Sequence, residues 1–116
     1  MKAAVLYKPN EAIEFENVCI DTPAPNEVLI EVAACGVCHS DLSVREGNFP
    51  SAFPVIMGHE AAGVVIGVGS DVRSVKPGDH VVTCISGHCG RCEACLTGRM
   101  SLCSNKGTDR HRSAPP

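Results

Sequence analysis

Apolar residues come in short runs along this chain, and Pro, Gly and Asn cut the runs apart. "KAAVLY" is one such run, stopped by the turn-forming "KPNEA". "IEFENVCI" alternates, with Ile13 and Phe15 on one side. After the Pro-rich connection "TPAPNE", "EVLIEVAAC" alternates at Val28, Ile30 and Val32. "AAGVVIGVG" is a β-branched run in which Gly63, Gly67 and Gly69 read as bends or bulges. "SDVRSVKPGD" holds a Pro-Gly turn, and "HVVTCI" follows as another strand. Helical character is confined to "HSDLSVREG", about two turns, with Ser40 or Asp41 as the expected cap. Short strands at regular spacing, separated by Gly and Pro, predict a mainly β fold of the small barrel or sandwich kind. No internal repeat is visible. The tail "NKGTDRHRSAPP", residues 105–116, is polar and ends in prolines, and disorder is expected there.

Length and composition narrow this picture. A chain of 116 residues is one domain at most. Hydrophobic residues at 44% and charged residues at 20% fit a folded domain rather than a disordered one. With a net charge of -3 and no basic or aromatic-arginine cluster, no nucleic-acid partner is expected. The longest apolar run, near Ala61 to Val68, is broken by glycines and too short to span a membrane. The N-terminus lacks the apolar core and cleavage site of a signal peptide. The expectation is therefore a cytoplasmic protein, in which eight cysteines serve as metal ligands or core residues rather than disulfides.

Four of those cysteines crowd into "GHCGRCEACLTGRMSLC", as Cys89, Cys92, Cys95 and Cys103. The spacing is C-x2-C-x2-C-x7-C. Tetrahedral zinc needs four ligands converging from different directions, which tight turns and one returning loop can provide. Gly87, Gly90 and Gly98 supply bends, and Arg91, Arg99 and Lys106 would offset the negative charge of four thiolates. An iron–sulfur cluster is one rival, but its usual bacterial run has a shorter last gap followed by proline, and Cys103 is followed by Ser104. A redox pair is another, but it leaves two thiols unexplained. Incidental core cysteines do not fit so polar a stretch. A closed structural zinc site is the reading, and it braces a loop rather than catalysing.

A second cluster lies upstream. "CGVCHSD" supplies Cys38, His39, Ser40 and Asp41, and "GHEAAG" supplies His59 and Glu60. One thiol and one imidazole make two-thirds of an open Cys2His catalytic zinc site. Neighbouring acids can orient the imidazole. Taken alone, a buried cysteine and an unrelated surface histidine would explain these residues equally well.

The stretch "GHEAAGVVIGVGSDVRSVKPGDHV" resembles the signature of the zinc-containing, medium-chain alcohol dehydrogenases. Gly58, His59, Glu60, Gly63 and Gly69 are in register with it, and "CGVCHSD" and the four-cysteine lobe are in the family's order. The resemblance covers residues 2 to about 104. It implies a GroES-like, partly open β-barrel over residues 1–104, with a structural zinc lobe at 87–104. It further implies that Cys38 and His59 are ligands of a catalytic zinc. Ser40 would bond the substrate alcohol and begin a proton relay. Asp41 would hold His59, and Glu60 would approach the metal. His39 would lie near the pyrophosphate of NAD or NADP. Cys89, Cys92, Cys95 and Cys103 would bind the structural zinc. Cys19, Cys35 and Cys84 take no role, with Cys35 expected to pack, and His80 and His88 are expected at a strand edge and on a loop surface.

Two departures from the family stand out. Ser43 occupies a place where relatives often carry a relay histidine. The family's chains are several times longer, and a third catalytic ligand and the Rossmann cofactor domain have no counterpart here. No G-x-G-x-x-G follows a strand and opens a helix in this sequence. The expectation is the zinc-binding catalytic domain of an NAD(P)-dependent alcohol dehydrogenase, truncated and inactive by itself. It would act on a small alcohol or aldehyde, and its oligomeric state is not readable. The competing expectation is a free-standing, zinc-bound structural or interaction module without redox chemistry.

Overall fold

The computed structural model describes residues 1–104; the tail from 105 to 116, expected to be disordered, lies outside the described residues. Two compact units are present, Met1–Thr83 and Cys84–Pro116, the second described as far as Ser104.

The first unit is built from two three-stranded sheets. In one, β1 (Lys2–Leu6) lies between β2 (Glu14–Asn17) and β4 (Val55–Ile56). In the other, β5 (Glu60–Val68) lies between β3 (Val28–Gly36) and β6 (His80–Val82). Every pairing is antiparallel. The expected mainly β architecture is present. Among the described residues no strand pairing joins the two sheets into a closed barrel.

The two central strands, paired along both edges, carry the buried side chains of this unit: Ala3, Val5 and Leu6 on β1 and Val65 on β5. Leu6 on β1 is 0% exposed and Val65 on β5 is 1% exposed. Burying each such side chain is worth about 1.5–3 kcal/mol. The Pro-Gly turn continues the second sheet beyond its formal strand. The Asp79 carboxylate accepts the Lys76 N–H and an Nζ hydrogen of Lys76, both at 2.9 Å, and the Asp79 carbonyl accepts the Val65 N–H at 2.9 Å.

Two apolar residues of the alternating segments lie exposed. Phe15 is 83% exposed, because the β1–β2 register sets it opposite Ala4, on the face away from Ala3 and Val5. Val32 is 53% exposed. It pairs with Gly63, which has no side chain to cover it, and the β3–β5 register then shifts between Val32 and Ala34, leaving Ala33 as an extra residue. A second shift, between Leu29 and Ile30, skips Ile66 beside Gly67, as the glycine pattern suggested.

Candidate metal centres

The chain leaves β3 at Gly36 and enters the helix α1 (His39–Arg45) through Cys38. Cys38, rather than the expected Ser40 or Asp41, is the N-cap, with extended φ and ψ of -110° and 155°. Asp41 is three residues into the helix and reaches back. Its Oδ2 accepts the Cys38 N–H at 3.0 Å, and its own N–H donates to the Cys38 carbonyl at 3.1 Å. One carboxylate oxygen thus fixes the backbone that carries the thiol.

The other oxygen fixes a histidine from across the fold. Asp41 Oδ1 lies 3.2 Å from His59 Nδ1. An ionised carboxylate only accepts hydrogen bonds, so Nδ1 carries the hydrogen and Nε2 keeps its lone pair. Nε2 faces Ser40 Oγ at 3.2 Å and Glu60 Oε1 at 4.0 Å. Cys38 Sγ, a ring nitrogen of His59 and a carboxylate oxygen of Glu60 all lie within 4.8 Å of one another. Cys38 and His59 are half-buried and Glu60 is exposed, so the donor set opens to solvent.

Ser40 Oγ and the Ser40 backbone N–H, followed by His59, bond the Cys38 sulfur and hold its thiol below the ordinary range. The hydrogen bond with Cys38, reinforced by the charge of Asp41, holds His59 above its ordinary value against partial burial. A thiol made easier to ionise, beside a ring nitrogen lone pair, suits a divalent ion of the zinc type. His39 is exposed at the start of α1, and its carbonyl accepts the Ser43 hydroxyl at 3.2 Å.

Two residues that the sequence did not single out, Thr83 and Gly36, shape this centre together with Gly58. Thr83 Oγ1 donates to the His59 carbonyl and accepts the Ala61 N–H, both at 3.0 Å, pinning the backbone on each side of Glu60. Gly36 makes room for Glu60, since a Cβ there would collide with Glu60 Oε2. Gly58 has φ +100°, and a Cβ on it would lie 2.8 Å from Cys35 Sγ. Cys35 is exposed rather than packed in a core, because it ends a sheet-edge strand; the Gly58 backbone is its neighbour. Contacts between residues some twenty apart leave no local signal, although a lone glycine before "HE" hints at a turn of this kind.

The second unit is organised by sulfur. Its helix α2 (Glu93–Leu96) starts from Cys92 as N-cap, and a 3-10 turn at Met100–Leu102 delivers Cys103. The four sulfurs of Cys89, Cys92, Cys95 and Cys103 lie within 4.8 Å of one another. The backbone N–H groups of Cys95 and then Ser104 lower the Cys92 thiol to about 6. Those of Arg91 and Cys92 lower Cys89, whereas burial and then the Cys92 thiol raise Cys95 to about 11. Backbone N–H groups therefore offset the thiolate charge. Arg99 instead donates from Nε to Thr97 Oγ1 at 3.3 Å, and Lys106 lies outside the described residues. Four converging sulfurs fit a closed tetrahedral zinc site. His80 and His88 are exposed, as are Cys19 and Cys84.

A sulfur-clasped loop in one unit, together with an open thiol–imidazole–carboxylate set where α1 and β5 begin in the other, defines a metal-binding β domain. The chain belongs to the alcohol dehydrogenase GroES-like domain family, whose model matches residues 24–113. Over 103 residues it is 45% identical to S-(hydroxymethyl)glutathione dehydrogenase of Haemophilus influenzae, an alignment covering 88% of this chain and 27% of that relative. Its fold superposes on benzyl alcohol dehydrogenase from Acinetobacter calcoaceticus with a TM-score of 0.82 and 36% identity, covering 92% of this chain and 29% of that one. A crystal structure of CAD from Helicobacter pylori complexed with NADP(H) matches with a TM-score of 0.75 and 28% identity, covering 90% of this chain and 30% of that one. The expected GroES-like fold is therefore present. The chain spans little more than a quarter of the length of the curated relatives it matches.

Proposed function

We propose that residues 1–104 form the zinc-carrying catalytic domain of a nicotinamide-dependent alcohol dehydrogenase acting on small alcohols and aldehydes. The observation that carries this reading is the open donor set of Cys38, His59 and Glu60, with Asp41 on the far side of the imidazole and Ser40 on the near side. In this reading Cys38, His59 and Glu60 hold a catalytic zinc, and Cys89, Cys92, Cys95 and Cys103 hold a structural one. A catalytic zinc supplies Lewis acidity that makes a substrate hydroxyl easier to deprotonate.

The chain's own residues prepare that step. Asp41 accepts the Nδ1 hydrogen and so keeps the Nε2 lone pair directed into the donor set. Ser40 Oγ, 3.2 Å from Nε2, loses that acceptor once the nitrogen becomes a ligand. Its hydroxyl is then free to accept the substrate proton and pass one of its own to water. Glu60, seated over Gly36, is the exposed member of the set and the one free to move as substrate arrives. In this reading His39, exposed beside Cys38, would meet the pyrophosphate of NAD or NADP. A bound nicotinamide would supply the hydride acceptor for the alcohol.

Metal analysis tests the assignment. The purified chain should hold about two zinc ions, and Cys38→Ser should hold about one, with the lobe retained. An unchanged zinc count in Cys38→Ser would remove the catalytic reading.

A further inference from the structure

We propose that the lobe is also a peroxide-responsive clasp, in which Cys92 pairs with Cys95 and Cys89 with Cys103, forming two disulfides and releasing the zinc held there. This rests on the zinc reading of the lobe and on how its sulfurs are arranged. Cys92 Sγ and Cys95 Sγ are 3.5 Å apart, and Cys103 Sγ and Cys89 Sγ are 3.6 Å apart. These two separations share no atom, so both bonds can form in one molecule. One of the two alternative pairings would start from longer separations, 3.8 Å for Cys92 to Cys103 and 4.0 Å for Cys89 to Cys95. A disulfide needs sulfurs about 2.05 Å apart, so each favoured pair closes by about 1.5 Å.

The backbone favours the same pairing. Cys92 caps α2 and Cys95 lies within it, so that pair closes inside one helical turn. The Cys89 N–H already donates to Cys103 Sγ at 3.4 Å, holding the two ends of the lobe together. Cys89, Cys92 and Cys95 are half-buried, which leaves sulfur within reach of a small oxidant. Cys103 is the single buried hydrophobic residue described in this unit, so little besides the sulfur cluster braces the loop. Two crosslinks would preserve its course when the ion leaves.

The chemistry balances with hydrogen peroxide as oxidant. One thiolate of each pair attacks the O–O bond, gaining an oxygen as sulfenic acid while hydroxide departs. The second thiolate attacks that sulfur, the S–S bond forms, and a second hydroxide departs. Each pair gives up two electrons to one peroxide. Two peroxides and four protons therefore become four waters, and the zinc leaves as Zn2+. A dithiol reverses the oxidation by thiol–disulfide exchange.

The test uses the Cys38→Ser chain, so that released zinc comes from the lobe. The reduced protein is first assayed for metal, with about one zinc per chain expected. Hydrogen peroxide is then added in steps while a chromogenic chelator reports zinc, and tryptic peptides are mapped without reduction. Cleavage after Arg91 and Arg99 places Cys92 and Cys95 on one peptide, residues 92–99, and Cys89 and Cys103 on two others. Zinc release in step with an internal disulfide in 92–99 and a separate Cys89–Cys103 crosslink, both reversed by dithiothreitol and added zinc, supports the proposal. A crosslink joining all three peptides, or sulfinic and sulfonic acids in place of disulfides, overturns it. Retained zinc with thiols still open to alkylation overturns it while leaving the zinc reading intact. Absence of zinc from the reduced protein overturns both.

Discussion

Asp41 shows how much one side chain can organise. Its two oxygens serve two different donors, the Cys38 N–H and the His59 ring. Asn in its place has one acceptor oxygen and an NH2 group, so it can satisfy one of those donors and not both. Asp41→Asn should therefore loosen both ligands and lower zinc affinity at the open site about 10- to 100-fold, the range for partners of metal-bound histidines. Chelator competition measures this, and lobe zinc in the same sample is the internal control. Gly58 acts through the backbone. An alanine there must adopt φ near +100°, and its Cβ presses on Cys35 Sγ. The left-handed conformation alone costs about 1–2 kcal/mol. Gly58→Ala should lower the urea midpoint by a corresponding amount, and adding Cys35→Ala should return only part of it. Full recovery in the double variant would locate the cost in the sulfur contact rather than in the backbone.

At the scale of elements, the turn that leads into β6 carries its own electrostatic signature. The Lys76 N–H, then the Lys76 ammonium, hold the Asp79 carboxyl below its ordinary range. A depressed carboxyl stabilises the fold above its unfolded pKa, and that contribution is lost as pH falls through the lower folded value. Melting temperature should decline with acidification from about pH 4 downward, the usual aspartate range. Asp79→Asn should flatten that decline and leave neutral stability slightly lower; an unaltered slope would assign the acid sensitivity elsewhere. This turn, the helix over residues 39–45 and the main strands were legible in the sequence, because Gly, Pro and period-two alternation act locally. What escaped was register. Phe15 faces outward because of which β1 residue it opposes, and Val32 is left uncovered because its partner is Gly63. The lobe was legible from cysteine spacing alone. Cys38 and His59 are separated by twenty residues and became readable through family resemblance. The roles of Thr83 and Gly36 depend on contacts that only the folded chain makes.

For the whole molecule, the question is whether these 116 residues can complete a redox reaction. The open site can hold a metal and orient a proton acceptor, but hydride transfer also needs a nicotinamide fixed at contact distance. Dinucleotide sites of the Rossmann kind sit where parallel strands lead into a glycine loop and a helix N-terminus. Every strand pairing among the described residues is antiparallel, and the glycine-rich run "GVVIGVG" falls within β5 and opens no helix. If the proposed reading holds, the 116-residue chain should bind zinc and leave NAD and NADP unreduced. The assay is nicotinamide reduction followed by absorbance, with ethanol, longer primary alcohols and hydroxymethyl thiols as substrates, on zinc-loaded protein and on Cys38→Ser. Rates in the two proteins should both match the protein-free blank. Zinc-dependent turnover that Cys38→Ser abolishes would place a cofactor site on this β framework or between two copies of it. Wild-type protein that reduces cofactor only after a dinucleotide-binding domain of a relative is joined to it would show that the metal site is competent. Hydride transfer in the 116-residue chain would then be limited by the positioning of the nicotinamide.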